Sequence, residues 1–237
     1  MEFVLRTFES QFDHKLLKNA EFRTVCRNSI FNLPGPKQMV SPYSPTHKFK
    51  INLCQGFMEI QKSHDVLISV RTYFASSPRG VQPSQYLSFL IHAYLNEAYI
   101  IEERMGKYLK RLTRSAGKYS DVRLRLEKIE PILEEKVEMG FKQLNLKESR
   151  NSHVHKQKHS DPGCGRLATW ELLLSPPGWS TNKEYKKCHK AELKIVRQSW
   201  DEVFVENELS IKELLDEYFG SLLDAICKDD DTLRSFE

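Results

Sequence analysis

Between residues 87 and 112 the chain carries an apolar seam that keeps the period of an α-helix for some four heptads. Leu87, Leu90, Ile91, Tyr94, Leu95, Ala98, Ile101, Met105, Tyr108 and Leu112 return to one side of a 3.6-residue turn. A helix of about thirty residues is a rod of roughly 45 Å at 1.5 Å per residue. A stripe that long must be covered by several partner helices or by a second subunit. Pro83-Ser84 marks its start, with Ser84 expected as the N-cap.

The flanking sequence supplies partners. From about residue 52 to 75, Leu53, Phe57, Ile60, Leu67, Val70 and Phe74 recur at helical steps, and Ser76-Ser77-Pro78-Arg79-Gly80 ends the run. Gly117 stops the long helix. Pro131 suits the first turn of another, with Ile132, Leu133, Val137, Phe141 and Leu144 on one face. Residues 159–165, rich in Asp, Pro and Gly, read as a turn cluster, and a short helix over 167–174 ends at Pro176-Pro177-Gly178. Two further helices are expected, one over about 183–205. The second follows Ser210, with Ile211, Leu214, Leu215, Tyr218, Phe219, Leu222 and Ile226 as its stripe. Period-two alternation is confined to residues 49–53. The expected class is all-α.

Residues 1–50 form an N-terminal extension, loop-rich around Pro34, Gly35 and Pro36, with a short helix over about 12–26. Residues 51–237 form the helical domain. With 237 residues, 40% of them hydrophobic, the chain can bury a core, and a net charge of +4 permits an anionic partner without demanding one. The N-terminal residues lack the basic start and apolar run of a signal peptide, and no stretch reaches the roughly 18–20 apolar residues of a membrane span. Five scattered cysteines fit reduced thiols better than a disulfide framework. A cytoplasmic protein without membrane partners is the expectation.

The densest chemistry lies at Arg150-Asn151-Ser152-His153-Val154-His155, followed by Lys156, Lys158 and His159. A neutral His can take the proton of an attacking hydroxyl, while Arg, always charged and forked, matches phosphate oxygens as they gain charge. If Ser149 caps a helix, Asn151 and His155 share a face. Arg150 and His155 then fall roughly 140° apart at about 100° per residue. Both reach one site only if Arg150 sits at the helix start, or if a second subunit completes the site.

Long helices followed by Arg150-Asn151 and then His155 resemble the HEPN domain (higher eukaryotes and prokaryotes nucleotide-binding domain). Its signature is Arg, four to six residues, then His, with a polar residue favoured after the Arg; Arg150 is the only arginine here that meets the spacing. The resemblance implies a HEPN-like bundle of long antiparallel helices that dimerises, and a metal-independent endoribonuclease that needs no cofactor. Arg150, Asn151 and His155 would be catalytic, with Lys156, Lys158 and His153 as auxiliary RNA contacts. It further implies a toxin or phage-defence role and an antitoxin partner. Gln157 stands where some members carry a modifiable Tyr, so that mode of control is not implied.

Two alternatives stay open. One is a non-catalytic helical module that binds RNA, a nucleotide or a protein. The other is a zinc scaffold using His153, His155, His159 and Cys164, or Cys188 and His189, although the paired CxxC knuckles of strong zinc sites are missing. A second basic stretch (Lys183, Lys186, Lys187, His189, Lys190, Lys194) is expected to spread over more than one side of its helix, as a solvated face with at most auxiliary phosphate contacts.

Overall fold

The computed structural model describes residues 45–76, 78–117, 120–144 and 161–227. Among them the chain is all-α, with five helices and no strand. These are α1 (Pro45–Phe74), α2 (Pro83–Ser115), α3 (Asp121–Gln143), α4 (Pro162–Leu174) and α5 (Lys183–Ile226). No helix of the described residues is long and apolar enough to cross a membrane. The helix expected over 12–26 lies outside the described residues.

Several boundaries differ from expectation, each for a local reason. Helix α1 begins at Pro45, because Phe49 is fully buried one turn before Leu53 and extends the same stripe; residues 49–53 are helix, not strand. Helix α2 starts at Pro83, so Ser84 is not its N-cap. Proline at the first position is pre-organised for helix, and Ser84 spends its hydroxyl elsewhere. Helix α3 starts ten residues before Pro131, which lies inside it. Its cap is Ser120, whose Oγ accepts from Arg123 N at 3.2 Å. In that register Val122, Leu126, Leu133, Val137 and Phe141 form the stripe and Ile132 is exposed.

The turn expected over 159–165 is partly the first turn of α4. Asp161 caps it, accepting from Cys164 N at 2.9 Å, and Pro162 follows at the first helical position. Asp-Pro serves a turn and a helix start equally well, which is why the pattern misleads. The two expected final helices are one helix of 44 residues, about 66 Å long. Neither Gly nor Pro interrupts residues 205–211, and the polar break in the seam is Asn207, itself buried on the core face between Phe204 and Ile211.

The chain divides into two compact units. Unit 1 comprises Met1–Phe57, Lys107–Leu133 and Leu215–Glu237. Its described core gathers Phe49, Leu53, Phe57, Tyr108, Leu112, Leu126, Phe219 and Leu222. Phe219 meets Phe57 edge-on, with centroids 4.9 Å apart, and lies 6.3 Å from the Tyr108 ring. Tyr108 donates its hydroxyl to Leu53 O at 2.5 Å, so this buried phenol is satisfied. Its ring occupies the space above Gly56, where any Cβ would overlap it.

Unit 2 comprises Met58–Gly106 and Glu134–Leu214. Here Phe204 of α5 is the hub, meeting Phe74 edge-on at 5.0 Å, Tyr94 at 4.4 Å and Trp200 at 5.6 Å. Arg104 of α2 donates to Glu59 O at 2.7 Å and to the buried Ser63 hydroxyl, tying α2 to α1. Helix α4 runs antiparallel to α5: Asp161 accepts from Trp200 Nε1 at 3.0 Å, Arg166 pairs with Glu192 at 2.8 Å, and Trp170 contacts Tyr185. Asn182 Oδ1 caps α5 by accepting from Glu184 N and Tyr185 N.

Candidate functional site

Arg150, Asn151, His153, His155, Lys156 and Lys158 lie outside the described residues, as does His159. What is described is their frame. The segment that carries them leaves after Leu144, at the end of α3, and rejoins at Asp161. The last ten residues of α3 and the whole of α4 belong to unit 2. The rejoining end is firmly held, because Asp161 both caps α4 and receives the indole N–H of Trp200.

Among the described residues, the most developed polar cluster surrounds Glu171 of α4. The sequence gives one hint of it, a lone carboxylate in the apolar run Leu167-Ala168-Thr169-Trp170-Glu171-Leu172-Leu173-Leu174. Glu171 is buried and accepts from Ser84 N at 2.9 Å and from the Ser84 hydroxyl. Ser84 N is one of the N–H groups that the first turn of α2 leaves without a helical acceptor. Glu171 therefore caps α2 in place of a residue of that helix, and its charge sits favourably at the helix N-terminus.

His189 Nε2 stands 3.6 Å from Glu171 Oε1, within ion-pair range but too long for a hydrogen bond. Among the described residues this nitrogen has no hydrogen-bond partner. Ser84, Glu171 and His189 are the residue types of a hydrolase triad, but the connectivity is wrong. The serine hydroxyl donates to the carboxylate rather than to the imidazole, so nothing activates it as a nucleophile. The cluster works as a latch between α4 and the start of α2.

Cys164 is buried in the first turn of α4. Burial, reinforced by the nearby Asp161 and Glu171 carboxylates, pushes its thiol up to about 12. A thiol held protonated is a poor nucleophile and a poor metal ligand. Among the described residues no group of three His, Cys, Asp or Glu side chains could hold a metal. The expected zinc alternative built on His153, His155 and His159 lies outside the described residues.

Tyr94 and Asn207 bring a second polar pair into the core of unit 2. Burial pushes the Tyr94 hydroxyl far up, with Asn207 close enough to pull weakly the other way. Neither Tyr94 Oη nor Asn207 Nδ2 has a hydrogen-bond partner of good geometry.

The basic stretch on α5 differs from expectation. At about 100° per residue, Lys183, Lys186, Lys187, Lys190 and Lys194 fall within one arc of roughly 100°. Only His189 leaves that face, turning towards Glu171. All five lysines are exposed, while Val196 on the opposite side is buried against α4. The sequence spacing of three and four contains this face; His189 in the middle of the run obscures it.

Comparison with family models, with curated proteins and with solved structures gives no match.

Proposed function

We propose that the chain is a HEPN-type, metal-independent endoribonuclease. The observation that carries this reading is the Arg150-Asn151 pair followed at the signature spacing by His155, in a chain of long helices. His155 takes the proton of a ribose 2′-hydroxyl as the 2′-oxygen attacks the adjacent phosphorus. The bond to the 5′-oxygen breaks, and a proton returns to that leaving oxygen, giving a 2′,3′-cyclic phosphate and a 5′-hydroxyl. Arg150 stabilises the charge on the phosphate oxygens in between, and Asn151 orients the imidazole or the phosphate. His153, Lys156 and Lys158 contact flanking phosphates.

A homodimer presents two copies of the motif to one RNA, which also resolves the helical-wheel separation of Arg150 from His155. A toxin or phage-defence effector restrained by an antitoxin is the biological setting proposed. The test is cleavage of end-labelled RNA in excess chelator. Arg150→Ala and His155→Ala should each lower the rate by about 10²–10⁴-fold while helical circular dichroism stays unchanged. Equal cleavage by wild type and both variants would sink the mechanism. Retention of RNA without cyclic-phosphate ends would instead favour a non-catalytic RNA-binding module.

A further inference from the structure

Three features set the lysine face of α5 apart from an ordinary solvated helix surface. First, it is of one sign: residues 183, 186, 187, 190 and 194 are all lysine, and no carboxylate among the described residues pairs with any of them. The acidic residues of this stretch stand off the face, and Glu192 is already bound to Arg166 at 2.8 Å. Other surface cations do find carboxylates, as in Arg123–Glu127, Arg125–Asp121 and Arg71 with Asp201 and Glu208.

Second, the lysines crowd the wrong end of the helix for stability. The N-terminus of a helix carries roughly half a positive charge, which favours carboxylates and disfavours cations. Here Glu184 is the sole acidic residue of the first turn, while Lys183, Lys186 and Lys187 surround it. The local potential is thus reinforced by the helix rather than offset, an arrangement that favours a bound anion.

Third, the face is extended along the helix axis. From Lys183 to Lys194 the face spans about 16 Å of helix axis. Trp200, which holds Asp161 and with it the returning end of the Arg150–His155 segment, follows Lys194 by about 9 Å along the same axis. At the other end, the Trp179 ring packs on Tyr185, with centroids 6.0 Å apart, on the side of α5 away from the lysines, so the face itself is purely cationic.

We propose that Lys183, Lys186, Lys187, Lys190 and Lys194 form a track for the phosphate backbone of single-stranded RNA, separate from the residues that cleave it. The choice of RNA over other polyanions rests on the endoribonuclease reading; the track itself rests on the lysine geometry.

The experiment measures binding of a fluorescein-labelled, 2′-O-methylated oligouridine of about 16 nucleotides by anisotropy across a salt series. The 2′-O-methyl groups keep every phosphate but block attack by the 2′-oxygen, so binding is read without cleavage. Lys183, Lys187, Lys190 and Lys194 are replaced together by Gln, whose helix propensity is close to that of Lys. A control of equal charge replaces the exposed Lys62, Lys128, Lys142 and Lys212 by Gln.

Each phosphate contact on a single strand contributes about −0.7 to the slope of log K against log salt, so four lost lysines should flatten the slope by up to about 2.8. Between about 50 and 200 mM salt, wild type should then lose about 50-fold more affinity than the variant. The control should keep the wild-type slope. An unchanged slope in the track variant, an equal change in the control, or wild-type binding to phosphatidylserine vesicles but not to the oligonucleotide would overturn the proposal. Salt-dependent RNA binding through these lysines with no cleavage of unmodified RNA would uphold the track and defeat the ribonuclease reading, so the two fail separately.

Discussion

Removing the Glu171 carboxylate should destabilise unit 2 far more than its share of the surface suggests. The carboxylate accepts from Ser84 N at 2.9 Å and from the Ser84 hydroxyl, and Ser84 is itself buried. In Glu171→Ala both donors lose their acceptor where water reaches them poorly. A hydrogen bond to a charged group is worth about 1.5–3 kcal/mol, so two of them set an expected loss of about 3–6 kcal/mol. Glu171→Gln keeps one acceptor oxygen and loses the favourable charge at the α2 N-terminus, for an expected cost of about 1–2 kcal/mol. Ser84→Ala removes the hydroxyl bond but leaves the N–H bond in place, and should cost about 1–2 kcal/mol. The double variant Ser84→Ala/Glu171→Ala should fall short of additivity by about 1–2 kcal/mol, since the two changes remove one shared bond. Urea unfolding followed by circular dichroism reads all four proteins, with midpoint shifts converted through m. A Glu171→Ala variant within about 0.5 kcal/mol of wild type would refute the latch, because that is the range of a surface change.

Two further outcomes follow from the packing. Gly56→Ala should cost about 1–3 kcal/mol in thermal unfolding, because its Cβ meets a Tyr108 ring that is pinned by the hydroxyl bond to Leu53 O; Gly106→Ala, with open space around it, is the control. Stability should fall as pH rises above about 9. Unfolding frees a Cys164 thiol that burial and the Asp161 and Glu171 carboxylates hold at about 12, so its contribution is full below the unfolded value and is lost as pH climbs towards 12. Cys164→Ala should flatten that decline, and iodoacetamide at pH 8 should label the exposed Cys188 and spare Cys164 in the folded protein.

Much of the fold was legible because its signals are periodic and strong. Every residue of the 87–112 seam is buried, and the 53–74 stripe holds from Leu53 to Phe74. Boundaries were harder where one residue type serves two structural ends. Pro131 reads as a helix start in sequence, but Ser120 and Asp121 had already started α3. Asp161-Pro162-Gly163 reads as a turn, and it is a cap followed by a first helical turn packed on Val196. Asn207 looks like an interruption because a polar residue at a core position breaks the apolar count, although the backbone needs only the absence of Gly and Pro to continue. Tertiary burial, which local propensity cannot see, decides each of these cases.

Sites divide along a similar line. Glu171 was invisible as a cap because its partner Ser84 lies 87 residues away, and only folding brings a side chain of α4 to the first turn of α2. The lysine face was present in the spacing throughout, yet its meaning depends on two tertiary facts: that α5 is continuous, and that α4 covers the side opposite the lysines. Had α5 packed through residues 183–194 on its lysine side, five ammonium groups would have needed partners or been forced out of register, and the face would be structural. With α4 on the far side, no packing need explains why these positions are lysine rather than a mixture of signs. Alternating charges would keep the helix as soluble and would suit its N-terminus better. A run that opposes the helix dipole and goes unpaired is therefore better explained by what it binds than by what it stabilises. That inference yields a further consequence: Lys187→Glu and Lys190→Glu together should raise the thermal midpoint while weakening oligonucleotide binding, and a fall in both would return the lysines to a structural role.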